Sequence, residues 1–162
     1  MKIHGSCHCQ AVRYEVESNE PYPYQKCYCS ICRKTSGGEG YTINLSADSK
    51  TLKIDGEEHL ETYRALLSPD ARQSNHHRRF CRHCGSHLWA WNNTWPELLH
   101  PVASSVDSAL PKTPCHTHIM LNISLTGSRP SPQQTIFVLV NIPTSRSLNG
   151  TNVWRIFNPT YN

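Results

Sequence analysis

Seven of the eight cysteines in this 162-residue chain fall into three tight groups: Cys7 and Cys9, then Cys27, Cys29 and Cys32, then Cys81 and Cys84, with Cys115 standing alone. Two chemistries use cysteines in such groups. Disulfides need an oxidising compartment, and cysteines one or two residues apart seldom reach good bridge geometry with each other. The opening stretch MKIHGSCHCQ has no apolar core of a secretory signal, so the expected location is the reducing cytoplasm, where thiols stay free. Metal ligation fits better, because zinc takes four tetrahedral ligands and short spacings let one turn supply two of them.

The sharpest local motif is Cys81-Arg82-His83-Cys84-Gly85. In such a turn the first cysteine ends a strand, the following amides point back at the sulfurs, and the glycine takes a positive φ as the chain curls away. A redox pair of thioredoxin type would need a βαβ setting. The flanks, His76 to Phe80 and Gly85 to Trp91, read instead as a β-hairpin.

Seven sulfurs split naturally as four plus three. A closed four-thiolate site holds structure, whereas a three-thiolate site leaves one position open for water or substrate. Spacing leaves two partitions open. Cys29 and Cys32 could join Cys81 and Cys84 across a very long spacer, leaving Cys7, Cys9 and Cys27 over. Alternatively, Cys7 and Cys9 join Cys81 and Cys84, leaving Cys27, Cys29 and Cys32 as a compact triad from one loop. The second is the tidier arrangement.

Other chemistry-bearing residues have simpler readings. His8 and His83 sit inside the ligand turns, where the intervening side chain points to solvent. His76-His77-Arg78-Arg79 reads as a polar hairpin rim rather than a phosphate contact. Cys115 and His118 have a weak Cys-x-x-His spacing that could close the open metal position; a lone thiol and a strand residue are the plainer account. Trp89, Trp91 and Trp95 alternate as one face of a strand and its turn would, packing a core.

These groups need a scaffold. Only 37% of residues are hydrophobic and 17% charged, with mean hydropathy -0.55, so the polarity comes from Ser, Thr, Asn, Gln and His. That excludes a membrane protein, the longest apolar run being Ile136 to Val140. The low charge argues against a wholly disordered chain. A formal charge of +4 is no nucleic-acid signature. Alternation predicts strands at Ala11–Glu17 and Tyr41–Leu45, a hairpin of Thr51–Ile54 and His59–Arg64 around Asp55-Gly56, and strands Arg78–Phe80 and His87–Trp91 entering and leaving the CxxC turn. No stretch shows a helical period. After Met120 the composition softens, with Gly/Ser/Pro/Gln-rich stretches at Thr126–Gln134 and Ser145–Thr151 around a β-prone segment, Thr135–Ile142.

Three segments together carry a resemblance: Gly5-Ser6-Cys7-His8-Cys9, Cys27-Tyr28-Cys29-Ser30-Ile31-Cys32-Arg33-Lys34, and Phe80-Cys81-Arg82-His83-Cys84-Gly85-Ser86. The chain resembles the glutathione-dependent formaldehyde-activating enzyme family, which includes the centromere-protein-V proteins. Weaker similarity runs through Val106-Asp107 and Leu110-Pro111 to His118-Ile119. The resemblance implies a mainly β fold, a small zinc-stabilised domain of coiled antiparallel sheets over residues 3–120; beyond it the family's usual ending is not found, and the change in composition makes 121–162 an irregular, divergent segment expected to be poorly ordered. It also implies a structural zinc on Cys7, Cys9, Cys81 and Cys84, and a second zinc, linked to activity, on Cys27, Cys29 and Cys32. The implied reaction condenses glutathione, or a related thiol, with formaldehyde or another small aldehyde, a carbon–sulfur lyase-type step. Lys26, Arg33 and Lys34 flank the triad and would meet glutathione's carboxylates, unless they are ordinary solvated charges.

Two departures stand out. Gln10 occupies a position usually held by glycine, and Tyr28 replaces the usual histidine between the first two triad cysteines. A non-catalytic zinc scaffold binding other macromolecules, or an inactive family member, is the competing functional class. The sequence sets no oligomeric state.

Overall fold

The computed structural model describes residues 1–36, 38–67, 70–113, 116–121 and 124, together with the backbone of 136–139 and 156–157. In chain order the elements begin with β1 (Lys2–Ser6), β2 (Arg13–Glu17), β3 (Tyr24–Cys27), the helix α1 (Ser30–Ser36) and β4 (Thr42–Asn44). They continue with β5 (Ala47–Asp48), β6 (Lys53–Asp55), β7 (Leu60–Tyr63), β8 (Leu66–Leu67), β9 (Arg72–Gln73) and β10 (His76–Cys81). The last are β11 (His87–Asn92), β12 (Leu98–Pro101), β13 (His116–Ile119), β14 (Ile136–Leu139) and β15 (Ile156–Phe157). The mainly β expectation holds. Two compact units emerge, one from Met1–Pro21 with Asn44–Lys112, the other from Tyr22–Ile43 with Thr113–Asn162.

The first unit holds a three-stranded sheet in the order β1-β2-β6, a five-stranded sheet in the order β5-β12-β11-β10-β7, and the pair β8-β9. Alternation decides which face is buried. In β2, Tyr14 and Val16 point inward between outward Arg13 and Glu17, and β1 answers with Ile3 and Gly5. Strand β11 lies inside its sheet and buries His87, Leu88, Trp89, Ala90 and Asn92. The Tyr14 and Trp89 rings meet edge to face at 5.2 Å, joining the two sheets in one core with Val12, Leu45, Leu99 and Val102. Each such aliphatic side chain contributes about 1.5–3 kcal/mol by leaving water.

Gly5 makes that packing feasible. A Cβ there would lie 2.3 Å from Tyr14 Cζ and 2.5 Å from the Ser105 carbonyl oxygen. The Tyr14 hydroxyl settles against Ser105 Oγ at 2.9 Å.

The expected hairpin around Asp55-Gly56 does not form. Strand β6 pairs with β2, whereas β7 pairs with β10 in the other sheet. Gly56, at φ 81°, opens a 3-10 turn over Glu57–His59 that passes the chain from one sheet to the next. Its missing side chain leaves room for the Ala11 carbonyl oxygen, which a Cβ would approach to 2.0 Å.

The second unit holds one five-stranded sheet, β15-β14-β13-β3-β4, with α1 connecting β3 to β4. Strand β13 runs parallel to both β3 and β14, while β14 and β15 are antiparallel. The β13–β3 register sets His118 opposite Lys26 and Ile119 opposite Cys27. Helix α1 is absent from the sequence expectation, because seven residues are too few to show a period. Strand β14 lies within the β-prone segment Thr135–Ile142. The readings of Thr126–Gln134, Ser145–Thr151 and Cys115 fall outside the described residues. Among the described residues no helix is long and apolar enough to cross a membrane.

Candidate metal centres

The first unit gathers four sulfurs. The Sγ atoms of Cys7, Cys9, Cys81 and Cys84 all lie within 4.8 Å of one another, with Cys7–Cys9 at 3.5 Å and Cys9–Cys81 at 3.6 Å. A tetrahedral zinc with Zn–S of about 2.3 Å needs sulfurs about 3.8 Å apart, so the donor set fits that ion.

Local structure explains the convergence. Strand β10 ends at Cys81, and Gly85, at φ 72°, donates its amide to the Cys81 carbonyl at 2.8 Å, closing the CxxC turn. The opposing turn closes through Cys7 N to Val12 O and Gln10 N to Cys7 O, both 3.0 Å. The Val12 amide also donates to Cys7 Sγ at 3.3 Å. Gln10 does adopt the positive φ, at 62°. Partial desolvation raises the Cys84 thiol, but the Ser86 hydroxyl and amide together with Cys9 outweigh it and bring Cys84 down to about 5. The turn therefore stabilises a thiolate. His8 and His83 are exposed, as expected of residues between ligand positions. His83 Nε2 lies 3.0 Å from His59 Nδ1.

The second unit gathers three. Cys27 ends β3, Cys29 precedes α1 and Cys32 lies in its first turn, and their sulfurs also lie within 4.8 Å of one another. Cys27 and Cys32 are buried and Cys29 is half-buried. The Cys32 amide donates to Cys29 Sγ at 3.3 Å, and Thr42 Oγ1 on β4 donates to the Cys32 carbonyl at 2.7 Å. Ile119 and Met120 pack against the group. Hydrogen bonds from Cys27 and Cys32 hold Cys29 down at about 2, while those same contacts and burial push Cys27 far up.

Of the flanking cations, Lys26 lies on β3 with Nζ 4.9 Å from the centre of the Tyr41 ring. Arg33 is half-buried in α1, and Lys34 is exposed. No ring nitrogen of His118 joins the three-sulfur cluster; its Nδ1 instead meets the Tyr28 hydroxyl at 2.8 Å. Burial, then Lys26 and His116, lower His118 to about 4 and keep it neutral. This Tyr28–His118 pair escapes sequence reasoning because ninety residues separate its members. The sequence marked each member separately, Tyr28 in a place usually held by histidine and His118 in a weak Cys-x-x-His spacing, with nothing local to link them.

The polar-rim reading of His76-His77-Arg78-Arg79 needs correcting at one position. Arg78 is only 6% exposed, because it sits on the covered face of β10. Trp89 is buried as expected, whereas Trp91 and Trp95 are half-buried, Trp91 Nε1 donating to the Pro96 carbonyl at 3.0 Å.

Comparison with known proteins bears on what these clusters do. A Halomonas elongata protein, provisionally named a glutathione-dependent formaldehyde-activating enzyme, is 53% identical over 121 residues, covering 75% of this chain and 76% of that protein. A crystal structure of a Rhodobacter sphaeroides protein superposes with a TM-score of 0.52 at 28% identity, covering 68% of this chain and 92% of the other. The sequence model of one family, described as glutathione-dependent formaldehyde-activating enzyme, matches residues 2–121, the span that contains both sulfur clusters. The chain belongs to the glutathione-dependent formaldehyde-activating enzyme family.

Proposed function

We propose that the chain joins glutathione, or a closely related thiol, to formaldehyde, with Cys27, Cys29 and Cys32 as the working site and Cys7, Cys9, Cys81 and Cys84 as a structural zinc site. The observation that carries this reading is the three-plus-four division of the sulfurs within a family named for that reaction. Zinc bound by the triad would supply a fourth position at which a soft thiol sulfur loses its proton more readily.

The chain's own residues supply the rest. Three thiolates outweigh the charge of a dication by about one unit, which disfavours hydroxide generation and favours a soft sulfur guest. Lys26 and Arg33 offset that excess, and with Lys34 they attract the two carboxylates of glutathione. Buried Ile119, with Cys27 and Cys32, screens one side of the triad from water. In the reaction the thiol sulfur bonds to the carbonyl carbon, and the thiol proton ends on the former carbonyl oxygen. The product is S-hydroxymethylglutathione, nothing is oxidised or reduced, and the step is of carbon–sulfur lyase type.

The test is zinc content with X-ray absorption at the zinc edge, with and without glutathione. Two equivalents, and a rise in mean sulfur coordination on adding glutathione, are expected. Two equivalents with an unchanged shell and no acceleration of adduct formation would overturn the proposal.

A further inference from the structure

Tyr28 stands between two triad cysteines, yet its side chain is only 1% exposed. Its hydroxyl shares a 2.8 Å hydrogen bond with His118 Nδ1, and the two rings stack at 5.7 Å with 18° between their planes. Tyr41 closes against the same tyrosine at 5.3 Å. The backbone repeats the connection, Tyr28 N donating to the Ile119 carbonyl at 3.1 Å. Ile119, next to His118, packs on Cys27 and Cys32.

His118 is an expensive residue to keep in β13. It is fully buried, and its Nε2 has no hydrogen-bond partner among the described residues. A buried polar atom without a partner carries its full desolvation penalty, which an aliphatic residue in the strand would avoid. Among the described residues, the hydrogen bond its ring makes is the one to the tyrosine in the cysteine loop.

We infer that His118 is a positioning residue for the three-sulfur site: through the Tyr28 hydroxyl it fixes the Cys27–Cys29 segment against β13 so that the three sulfurs converge on one ion. The inference rests on the triad being a metal site, as proposed above. Neither residue touches the reacting atoms. The pair instead removes the loop's freedom to splay, as outer contacts do around other metal ligands.

The experiment compares full-length wild type with Tyr28→Phe, His118→Leu, their double variant and His118→Asn, each titrated with Co²⁺. Thiolate-to-cobalt charge-transfer bands follow each site, and the four-sulfur cluster serves as an internal control. Tyr28→Phe and His118→Leu should each weaken the triad site by about 10–100-fold and shift its bands, with the four-sulfur site unchanged. The double variant should be no weaker than the worse single one, because both remove one bond. His118→Asn, which keeps an acceptor near the Nδ1 position, should recover most of the loss. Triad affinity and bands like wild type, equal weakening of both sites, or additive losses would each overturn the inference. A wild-type chain that takes only one cobalt equivalent overturns the metal reading first, and this inference with it. A loaded triad indifferent to all four variants overturns this inference alone.

Discussion

The Gln10 side-chain amide donates to the Cys7 carbonyl oxygen at 3.2 Å, and to Ser6 Oγ at 3.0 Å, from a backbone held at φ 62°. Left-handed backbone costs a non-glycine residue about 1–2 kcal/mol, and two hydrogen bonds offset much of that. Replacing Gln10 by glycine removes both the strain and the bonds, so Gln10→Gly should stay within about 1 kcal/mol of wild type. Gln10→Val loses the bonds and adds β-branched crowding, and should cost about 2 kcal/mol. Urea unfolding of the zinc-loaded chain measures both, and a valine variant as stable as wild type would refute the account.

Gly5→Ala should be among the more damaging single-methyl additions in the first unit. The new Cβ meets the Tyr14 ring at 2.3 Å and the Ser105 carbonyl oxygen at 2.5 Å, and backbone cannot yield as a flexible side chain does. A loss of about 3 kcal/mol is expected from overpacking. Adding Tyr14→Leu, which clears the ring, should recover part of it. Unfolding midpoints of the two variants decide the matter, and no difference between them would place the clash elsewhere.

Acid should destabilise the chain through His87. Burial, with the Arg78 guanidinium, lowers its imidazole to about 4 from an ordinary 6.5, so the unfolded chain accepts a proton that the folded chain refuses. The resulting stability is complete above about pH 6.5 and is lost as the pH falls toward 4, on the order of 3 kcal/mol in all. His87→Gln should flatten the dependence of unfolding free energy on pH across that window. An unchanged slope would mean that His87 does not titrate on unfolding.

Removing sulfurs should separate the two clusters. Cys81→Ser should lose one zinc equivalent and about 3 kcal/mol or more of stability, since metal binding to a folded site is folding free energy. Cys29→Ser should lose the other equivalent together with thiol entry, while keeping the circular dichroism of the wild type. Metal analysis alongside chemical unfolding reads both. Equal destabilisation by the two variants would contradict the division of labour.

Much of this was legible beforehand because cysteine spacing and strand alternation are local signals. The Cys27–Cys29–Cys32 group, β2, β4 and the β10–β11 hairpin follow from residues within a few positions of each other, whereas the pairing of Cys7 and Cys9 with Cys81 and Cys84 came from the family resemblance. What escaped depends on distant partners. The separation of β6 from β7 turns on the space that Gly56 leaves for Ala11. The burial of Arg78 depends on what covers β10. The seven-residue α1 is too short for periodicity, and Tyr28 was an unexplained departure until β13 placed His118 beside it.

The spans of the two clusters differ widely, from Cys27 to Cys32 in one and from Cys7 to Cys84 in the other. A nascent chain leaving the ribosome has offered every sulfur of the short-span group once Cys32 is out. The long-span group waits about fifty residues more and must then close a large loop, an entropic task that local order in the hairpin only partly eases. A translational pause, or a truncation before Cys84, would therefore leave a polypeptide that carries all three sulfurs of the short loop but neither the β13 strand that packs against them nor the second half of the four-sulfur group.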